Sequence, residues 1–236
     1  MNFLTIIIPC FNESESIPEL IKELNKLNKN INFLIVENGS TDNSKENLKS
    51  IENKLSQNIK VLYLNKNNGY GNGVFQGLLL SKNTKYLGWI HGDLQFQYSK
   101  LDEIFNKLIS LDNQNTHVFI KGIRKGRSTS ENLFSYFMGK IASLILKIRM
   151  TEINAQPTIF SNILMDKLTN PPKGFELDTY IYFQALKNNY EILREEVIFP
   201  KRQFGFSNWN TGFSSRIRFS ITLIKYFIEL KKETNF

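Results

Sequence analysis

An acid and an amide stand two residues apart in the segment His91-Gly92-Asp93-Leu94-Gln95. A carboxylate and an amide oxygen at this spacing can bind one hard cation such as Mg²⁺ or Mn²⁺, whose other positions are taken by water and by substrate phosphates. Such a cation neutralises a departing diphosphate. A solvated turn explains so short a segment at least as well, so these residues alone are weak evidence for a metal site.

A second polar segment, Glu37–Asp42, follows a buried apolar run. The Glu37 carboxylate can accept hydrogen bonds from a base or ribose, and Asp42 can cap the next helix. A strand-to-helix turn with an aspartate cap accounts for the segment equally well. The glycine-rich segment Asn68–Gly73 is similarly ambiguous. It permits close backbone approach to a sugar nucleotide, but it is neither a Walker loop nor a G-x-G-x-x-G motif.

Three arginines, Arg124, Arg127 and Arg202, are candidate phosphate ligands because the planar guanidinium fork matches phosphate oxygens. A single surface arginine is more often simply solvated. Two Phe and a Trp in the polar segment Lys201–Asn210 indicate binding or docking, and we expect Arg202 and the loop Phe204–Asn210 to form a mobile lid over the phosphates. Asp178 is the candidate general base for a hydroxyl acceptor, although capping of a helix start explains it equally well.

Short β-branched runs alternate with helical patterns over the first half of the chain. This alternation predicts an α/β fold with a mostly parallel, Rossmann-like sheet and helices on both faces. The predicted strands are Leu4–Pro9, Ile31–Val36, Val61–Leu64, Tyr86–Ile90 and His117–Ile120. Ligands in such sheets bind outside the carboxyl ends of the strands. We therefore expect Phe11–Glu13, Glu37–Asp42 and His91–Gln95 to converge on one crevice.

The second half has a different pattern, with longer apolar helices and fewer strands. In the first half, by contrast, one specific helix start is predicted, a capping box from Ser16 to Glu19. The absence of a linker, a repeat or a low-complexity stretch predicts one domain over residues 1–236. The predicted elements of the second half are helices at Asn132–Arg149 and Asp178–Asn188, a strand at Glu191–Phe199, a loop or strand edge at Ile153–Phe160 and a basic final helix.

Composition limits the class of protein. The chain has 236 residues, 41% of them hydrophobic and 22% charged, which is typical of a globular domain. Its net charge of +8 fits phosphate-rich partners, but no nucleic-acid recognition motif is present. The single cysteine, Cys10, excludes an intrachain disulfide, favours a reducing compartment and is expected to pack as a small buried residue. We see no secretory signal in Met1–Pro9 and no run of the about 20 apolar residues that span a bilayer.

Together these segments resemble family 2 glycosyltransferases of the GT-A fold, and most of all the dolichyl- and polyprenyl-phosphate sugar transferases. The resemblance covers nearly the whole chain in order. Ile8–Glu13 resembles the opening P-x-[YF]-N-E strand, Val36–Asp42 resembles V-D-D-G-S-x-D, and His91–Gln95 resembles D-A-D-L-Q. Further matches are Asn68–Gly73 with N-x-G-x-G, Gly122–Arg124 with G-S-R, Asn154–Pro157 with N-x-Q-P, and Arg202–Ser207 with R-x-x-G-x-S.

The resemblance implies roles for individual residues. It makes residues 1–120 the nucleotide-sugar half and residues 121–236 the acceptor and membrane half, with Mg²⁺ or Mn²⁺ on Asp93 and Gln95. The implied catalytic residues are Asp93, Arg124, Arg202 and, for a hydroxyl acceptor, Asp178. The implied nucleotide-sugar contacts are Pro9, Phe11, Glu13, Ile35, Glu37, Asp42, Gly69, His91 and Gly92. The implied acceptor-phosphate contacts are Arg124, Arg127, Gln156, Arg202 and Ser207.

Two positions depart from the family pattern. Glu37-Asn38 replaces Asp-Asp, which keeps one acid but alters the contacts offered to a base. His91 replaces the first Asp of the D-x-D motif, so Asp93 is the only acid left in it. We do not count His91 as a metal ligand and expect it to contact the nucleotide or to pack.

The expected activity is metal-dependent, inverting transfer of a sugar from a nucleoside diphosphate sugar to a polyprenyl phosphate or similar membrane-held acceptor. One alternative is transfer to a glycan hydroxyl of a lipid-linked oligosaccharide or surface polysaccharide. A second is a catalytically weak nucleotide-sugar-binding protein at a membrane surface. The expected location is cytoplasmic, peripheral on the inner face of a membrane, with a homodimer as a further option and no nucleic-acid partner.

Two apolar helical stripes carry the membrane prediction, because amphipathic helices with basic flanks lie in the plane of a membrane interface. The competing interpretation is that both stripes pack on the sheet or in a dimer interface. The first stripe is Phe134, Phe137, Met138, Ile141, Ile145 and Ile148, and the second is Ile217, Ile221, Ile224 and Ile228. Basic residues accompany both: Lys140, Lys147, Arg149, Arg216, Arg218, Lys225, Lys231 and Lys232.

Overall fold

The computed structural model describes residues 2–112, 117–200 and 213–233. Strands and helices alternate along most of the chain, as their apolar periodicities predict. The strands are β1 Leu4–Cys10, β2 Ile31–Glu37, β3 Ile59–Tyr63, β4 Tyr86–Trp89, β5 Val118–Lys125, β6 Thr158–Ser161 and β7 Glu191–Ile198. The helices are α1 Ile17–Asn25, α2 Ser44–Ile51, α3 Tyr70–Leu80, α4 Lys100–Leu111, α5 Thr129–Leu146, α6 Glu176–Lys187 and α7 Phe213–Glu233.

All of these strands join one sheet in the order β3-β2-β1-β4-β6-β5-β7. Only β6 runs against its neighbours, antiparallel to both β4 and β5, and the other adjacent pairs are parallel. The predicted mostly parallel sheet is confirmed. Because β6 reverses direction between β4 and β5, the carboxyl ends of β1, β2, β4 and β5 share one edge. Strand β6, Thr158–Ser161, overlaps the end of Ile153–Phe160, which the sequence predicted as a loop or strand edge.

Apolar cores cover both faces of the sheet, which explains why the central strands are nearly continuous apolar runs. Within β1, Ile6 and Ile8 belong to the core packed under α1 and α4, whereas Ile7 belongs to the core under α3, α5, α6 and α7. All three isoleucines are completely buried. Burial of each such side chain stabilises the fold by about 1.5–3 kcal/mol. The prediction of helices on both faces is therefore confirmed.

The predicted capping box at Ser16 is wrong. Ser16 precedes α1 in a helical conformation, with φ −85° and ψ −24°, and its side chain caps no backbone N–H. Its hydroxyl donates instead to the carboxylate of Glu13 at 2.9 Å. An N-cap residue needs extended dihedrals to turn its oxygen toward the helix. Ser128 has them, with φ −63° and ψ 154°, and forms a complete capping box with Glu131 at the start of α5.

The predicted membrane stripe on α5 is largely a core face. Met138 is buried, and all but one of the other stripe residues pack partly buried against the second core: Phe134, Ile141, Ile145 and Ile148. Phe137 alone in that set is exposed, because the contact face of α5 is centred on Ser135, Met138, Gly139 and Ala142. A different exposed apolar set lies on this helix: Leu133, Tyr136, Phe137 and Leu144.

The predicted stripe on α7 is mostly exposed. Ile217, Ile221 and Ile228 face outward, while Ile224 packs partly against the second core. The buried face of α7 is formed by Leu223, Phe227 and Leu230. Among the described residues, no helix has both the length and the apolar character that crossing a bilayer requires.

Candidate active site

The loops after β1 and β2 are joined by hydrogen bonds at the carboxyl edge of the sheet. Cys10 and Glu37 are register partners at the ends of these two strands. Beyond them, the amide oxygen of Asn12 accepts a hydrogen bond from the backbone N–H of Thr41 at 2.8 Å. The backbone N–H of Ser14 donates to the Asp42 carboxylate at 3.2 Å. The structure thus brings together two of the three segments predicted to line the crevice.

Glu37 holds a buried carboxylate oxygen for which the described part of the chain offers no hydrogen-bond partner. The residue is fully buried, and its Oε1 accepts from the backbone N–H of Ser40 at 2.6 Å. Its Oε2 is also buried and has no hydrogen-bond partner among the described residues. Leaving a buried carboxylate oxygen unpaired costs free energy, which a ligand N–H or O–H would recover. This geometry suits the predicted contact between Glu37 and a base or ribose.

The glycines of Asn68–Gly73 are explained by packing within the chain. Gly69 has φ +108°, and a Cβ there would lie 2.2 Å from the carbonyl oxygen of Lys173. A Cβ on Gly71 would lie 2.4 Å from the carbonyl oxygen of Gly174. These close approaches dock the start of α3 on the segment that precedes α6. The simpler interpretation of this segment therefore accounts for Gly69, and its contact with a sugar nucleotide stays a prediction.

Asp93 and Gln95 lie beyond β4 on the same edge. Asp93 Oδ1 accepts from the backbone N–H of Gln95 at 3.1 Å, across Leu94 in a left-handed conformation with φ 60°. A Cβ on Gly92 would lie 2.7 Å from Cys10 Sγ, so this turn sits tightly against the end of β1. The third predicted segment therefore joins the other two. Cys10 itself is buried, which raises the pKa of its thiol, as expected of a packed residue.

The donor set fits a cation that arrives with its substrate. The part of the chain that the structure describes contains no group of three or more His, Cys, Asp or Glu able to hold a metal. Mg²⁺ and Mn²⁺ sites of the substrate-dependent kind use one or two protein oxygens plus phosphates and water. Asp93 offers a carboxylate, and Gln95 donates its side-chain N–H to the carbonyl of Pro200 at 3.2 Å, which leaves its amide oxygen for a cation.

His91 belongs to an aromatic stack. Its ring centroid lies 5.5 Å from that of Tyr70, which in turn stacks on Phe175 at 4.8 Å. The Tyr70 hydroxyl accepts from Gln156 Nε2 at 2.8 Å, and burial raises the pKa of that hydroxyl well above its ordinary value. Gln156 is buried, and its Oε1 has no partner among the described residues. The predicted contacts of His91 and Gln156 with substrate remain predictions.

Asp178 is buried in the interior, where it forms an ion pair. Its Oδ1 lies 3.8 Å from Lys121 Nζ and accepts from Trp89 Nε1 at 3.2 Å. Lys121 also donates to Thr158 Oγ1 at 2.9 Å. Burial raises the pKa of Asp178 against the opposing effect of Lys121, and burial lowers the pKa of Lys121 to about 8. Sequence reasoning missed Lys121, although a lysine within the run Val118-Phe119-Ile120-Lys121 was a visible signal.

Arg124 and Arg127 meet at one serine. Arg124 Nη2 and Arg127 Nη1 both donate to Ser135 Oγ, at 3.1 and 2.9 Å. Glu152 Oε2 accepts from Arg124 Nε at 3.1 Å and from its Nη2 at 3.0 Å. Burial lowers the pKa of Arg127 to about 10, and the neighbouring Arg124 contributes. Ser135 and Glu152 were not predicted, because neither belongs to a motif and their contacts with the arginines appear only in the folded structure.

The remaining predicted contacts occupy several environments. Ile35 is completely buried in the first core, where its side chain packs against apolar neighbours. Pro9, Phe11 and Glu13 are partly buried at the end of β1. Partial burial opposes ionisation of Asp42, but hydrogen bonds from Ser44 and Ser14 hold the pKa of its carboxyl below the usual value. Arg202, Ser207 and the rest of Lys201–Asn210 lie outside the described residues.

Comparison with known proteins identifies relatives of this arrangement. The model of the family Glycosyl transferase family 2 matches residues 5–167. A protein of Methanocaldococcus jannaschii without an assigned activity is 28% identical over 201 residues, which cover 81% of this chain and 85% of that protein. A dolichyl-phosphate beta-glucosyltransferase of Dictyostelium discoideum is 29% identical over 152 residues, covering 57% of this chain and 46% of that enzyme. The chain thus spans about half the length of the Dictyostelium enzyme.

A solved structure shares the architecture. Glucosyl-3-phosphoglycerate synthase from Mycobacterium tuberculosis, in complex with Mn²⁺, uridine diphosphate and glucosyl-3-phosphoglycerate, superposes with a TM-score of 0.70 at 13% identity. The match covers 97% of this chain and 79% of that one. At this identity the likeness shows the fold alone, and it confirms the predicted GT-A architecture.

Proposed function

The chain belongs to glycosyl transferase family 2, and we propose that it transfers a sugar from a nucleoside diphosphate sugar to a polyprenyl phosphate. The observation that best supports this proposal is the pair Arg124 and Arg127. Both donate to the Ser135 hydroxyl, at the same edge of the sheet as Asp93. Two adjacent guanidinium groups suit an acceptor that itself carries a phosphate. The Dictyostelium relative is named for a dolichyl-phosphate acceptor, which supports the same class.

The donor half of the proposal rests on Glu37, Asp93 and Gln95. Glu37 Oε2, which has no partner among the described residues, accepts a hydrogen bond from an N–H of the base or an O–H of the ribose. Asp93 and Gln95 would hold Mg²⁺ or Mn²⁺ together with the diphosphate. When bound, this ion supplies positive charge that stabilises the departing diphosphate. The Mycobacterium tuberculosis structure contains Mn²⁺ and uridine diphosphate, which supports this pairing for the shared fold.

The chemistry needs no strong base if the acceptor is a phosphate. An anionic oxygen of the acceptor attacks the anomeric carbon, and the bond from that carbon to the diphosphate oxygen breaks. Attack from the opposite face inverts the anomeric configuration. Arg124, Arg127 and Arg202 hold the acceptor phosphate close to the donor diphosphate despite their repulsion. Asp178 fits this scheme as a buried partner of Lys121 and Trp89, with its Oδ1 already engaged by both.

We propose that the protein works at the cytoplasmic, inner face of a membrane. Exposed apolar residues project from α5 and α7, and basic residues accompany them. Lys140 on α5 lies over the ring of the exposed Tyr136, with its Nζ 5.4 Å from the ring centroid. Lysines of this kind bury an apolar stem and keep the ammonium near lipid headgroups. A second copy of the chain is the alternative occupant of this surface.

One assay separates the proposed activity from its two competitors. The purified chain is incubated with Mn²⁺, a panel of nucleotide sugars and either a polyprenyl phosphate or a lipid-linked glycan that offers only hydroxyls. We expect nucleoside diphosphate release that depends on the polyprenyl phosphate. Release with the glycan alone would favour the hydroxyl acceptor. Binding of nucleotide sugar without release in either mixture would favour the catalytically weak binding protein.

A further inference from the structure

Ser135 contacts two arginines, Arg124 and Arg127, that lie three residues apart just before α5. It is 7% exposed on the core-facing side of α5. Its Oγ accepts from Arg124, which lies near the end of β5, and from Arg127, which lies in the loop before α5. A side-chain hydroxyl offers two acceptor lone pairs, so one serine can fix two guanidinium groups. This shared acceptor links the two guanidinium groups directly.

Glu152 completes the arrangement from the other side. Its side chain is 22% exposed and that of Arg124 is 11% exposed, so their contact is largely shielded from water. Arg124 Nε and Nη2 both donate to the same carboxylate oxygen, Glu152 Oε2. Glu152 adopts φ 49°, an uncommon left-handed conformation for a residue with a side chain. Unfavourable backbone conformations persist where the surrounding structure imposes them, often at binding sites.

The charges of this cluster leave a positive surplus. Arg127 experiences Arg124 and Arg216 as like charges and Glu131 and Glu152 as opposite charges. Within the hydrogen-bonded cluster itself, two guanidinium groups, those of Arg124 and Arg127, are accompanied by one carboxylate, that of Glu152. One carboxylate reduces the repulsion between the arginines without cancelling their attraction for an anion. A phosphate group suits two such forks, because it offers several oxygens and more than one negative charge.

A short series of contacts connects the arginine cluster to the predicted nucleotide-sugar side of the site. A Cβ on Gly122, two residues before Arg124, would lie 2.1 Å from the carbonyl of Gln156. Gln156 donates to the Tyr70 hydroxyl, and the Tyr70 ring lies against His91. His91 is two residues from Asp93. The arginine cluster and the predicted metal ligands therefore belong to one continuous packed edge.

We propose that Ser135 and Glu152 are positioning residues that hold Arg124 and Arg127 as a two-arginine clamp for the phosphate of the acceptor. This inference rests on the proposed function, because it names the residues that make the acceptor site selective for a phosphate. Neither residue needs to touch the reacting atoms. Ser135 sets the spacing of the two guanidiniums, and Glu152 sets the orientation of Arg124.

The test compares four variants of the full chain. Ser135→Ala removes the shared acceptor and favours the helix, since alanine has the highest helix propensity. Glu152→Gln removes the charge, and Glu152→Asp restores it with a residue that tolerates left-handed conformations. Glu196→Gln is the matched control, because Glu196 pairs with Lys125 at 3.0 Å in an exposed ion pair next to Arg124. The probes are farnesyl phosphate, inorganic phosphate and a nucleoside diphosphate with Mn²⁺.

We expect Ser135→Ala and Glu152→Gln to raise KM and Kd for farnesyl phosphate about fivefold or more, the effect of losing a hydrogen bond to a charged group. The values of kcat, the nucleoside diphosphate affinity and Tm should change little. Glu152→Asp should recover much of the loss, and Glu196→Gln should match the parent. Unchanged acceptor binding in both Ser135→Ala and Glu152→Gln would overturn the clamp. The clamp would also be overturned if these variants lowered only kcat, or if acceptor affinity and Tm fell together.

Failure of the proposed function gives a different result. If the parent turns over a hydroxyl acceptor and binds inorganic phosphate but not farnesyl phosphate, the polyprenyl proposal falls. The clamp would still be supported if Ser135→Ala and Glu152→Gln weaken phosphate binding. If the parent binds neither phosphate probe while it binds nucleoside diphosphate, the clamp itself is overturned.

Discussion

Lys121 on β5 and Asp178 on α6 form an ion pair in the interior, with 3.8 Å between Lys121 Nζ and Asp178 Oδ1. Their side chains are 0% and 4% exposed. Removing one member of a buried pair leaves an uncompensated charge, so Lys121→Met should lower the free energy of unfolding by about 3–5 kcal/mol. Urea denaturation at neutral pH measures this change.

The control for that prediction lies on the same strand. Lys125 pairs with Glu196 at 3.0 Å, but both side chains are exposed. Lys125→Met should therefore cost at most about 1 kcal/mol. The double variant Lys121→Met with Asp178→Asn should recover much of the stability lost in Lys121→Met. Equal, small losses for Lys121→Met and Lys125→Met would show that the buried pair contributes no more than a surface pair.

The second prediction concerns the nucleotide. Glu37→Gln should weaken nucleoside diphosphate binding by about 1–3 kcal/mol, because the buried Oε2 then carries no charge for the base or ribose donor. Titration calorimetry gives the difference directly. Glu46→Gln, on the exposed side of α2, is the control and should bind like the parent. The same affinity in Glu37→Gln and the parent would contradict the role of Glu37.

The third prediction concerns the metal. Mn²⁺ should bind tightly only when nucleoside diphosphate is present, since Asp93 and Gln95 supply few ligands by themselves. Asp93→Ala should abolish turnover with little change in Tm, and excess chelator should do the same to the parent. Asp166→Ala, at an exposed site far along the chain, is the control. An active Asp93→Ala enzyme, or turnover unaffected by chelator, would refute the proposed site.

The parallel sheet was predictable because its strands are buried on both faces and are therefore nearly continuous β-branched runs. Convergence of Glu37 and Asp93 followed from topology, since parallel strands end at one edge. Strand β6 was harder to predict, because its short run of Thr158-Ile159-Phe160-Ser161 follows a polar loop and pairs only through distant partners.

The acceptor side was only partly predictable. The sequence indicated Arg124 and Arg127 by residue type, but a serine or glutamate becomes informative only through its contacts. Ser135 lies within an apolar helix, and Glu152 lies beyond its end. The stripe predicted as a membrane face of α5 is largely its core face, the alternative that the sequence left open, because this helix carries apolar residues on several sides and periodicity alone cannot choose among them.

The last prediction is that the protein binds anionic membranes through the exposed apolar residues of α5 and α7. Leu144 is 81% exposed on α5, and Ile221 is 48% exposed on α7. Basic residues near an anionic surface contribute about 1 kcal/mol each, and that contribution weakens as salt screens it. The intact chain should therefore co-sediment with anionic vesicles at low salt, less at high salt, and poorly with neutral vesicles.

Point variants test this surface better than removal of α7, because Leu223 and Phe227 of that helix are buried in the second core. Leu144→Ser with Ile221→Ser should reduce vesicle binding severalfold while nucleotide affinity and Tm are kept. Leu80→Ser, at a residue 65% exposed on α3, controls for the loss of any exposed apolar side chain. Sedimentation equilibrium of the same proteins tests the alternative, in which a second copy covers this surface and the double variant dissociates. If the intact chain does not co-sediment with anionic vesicles even at low salt, the membrane proposal fails. A soluble glycan acceptor then becomes the better interpretation.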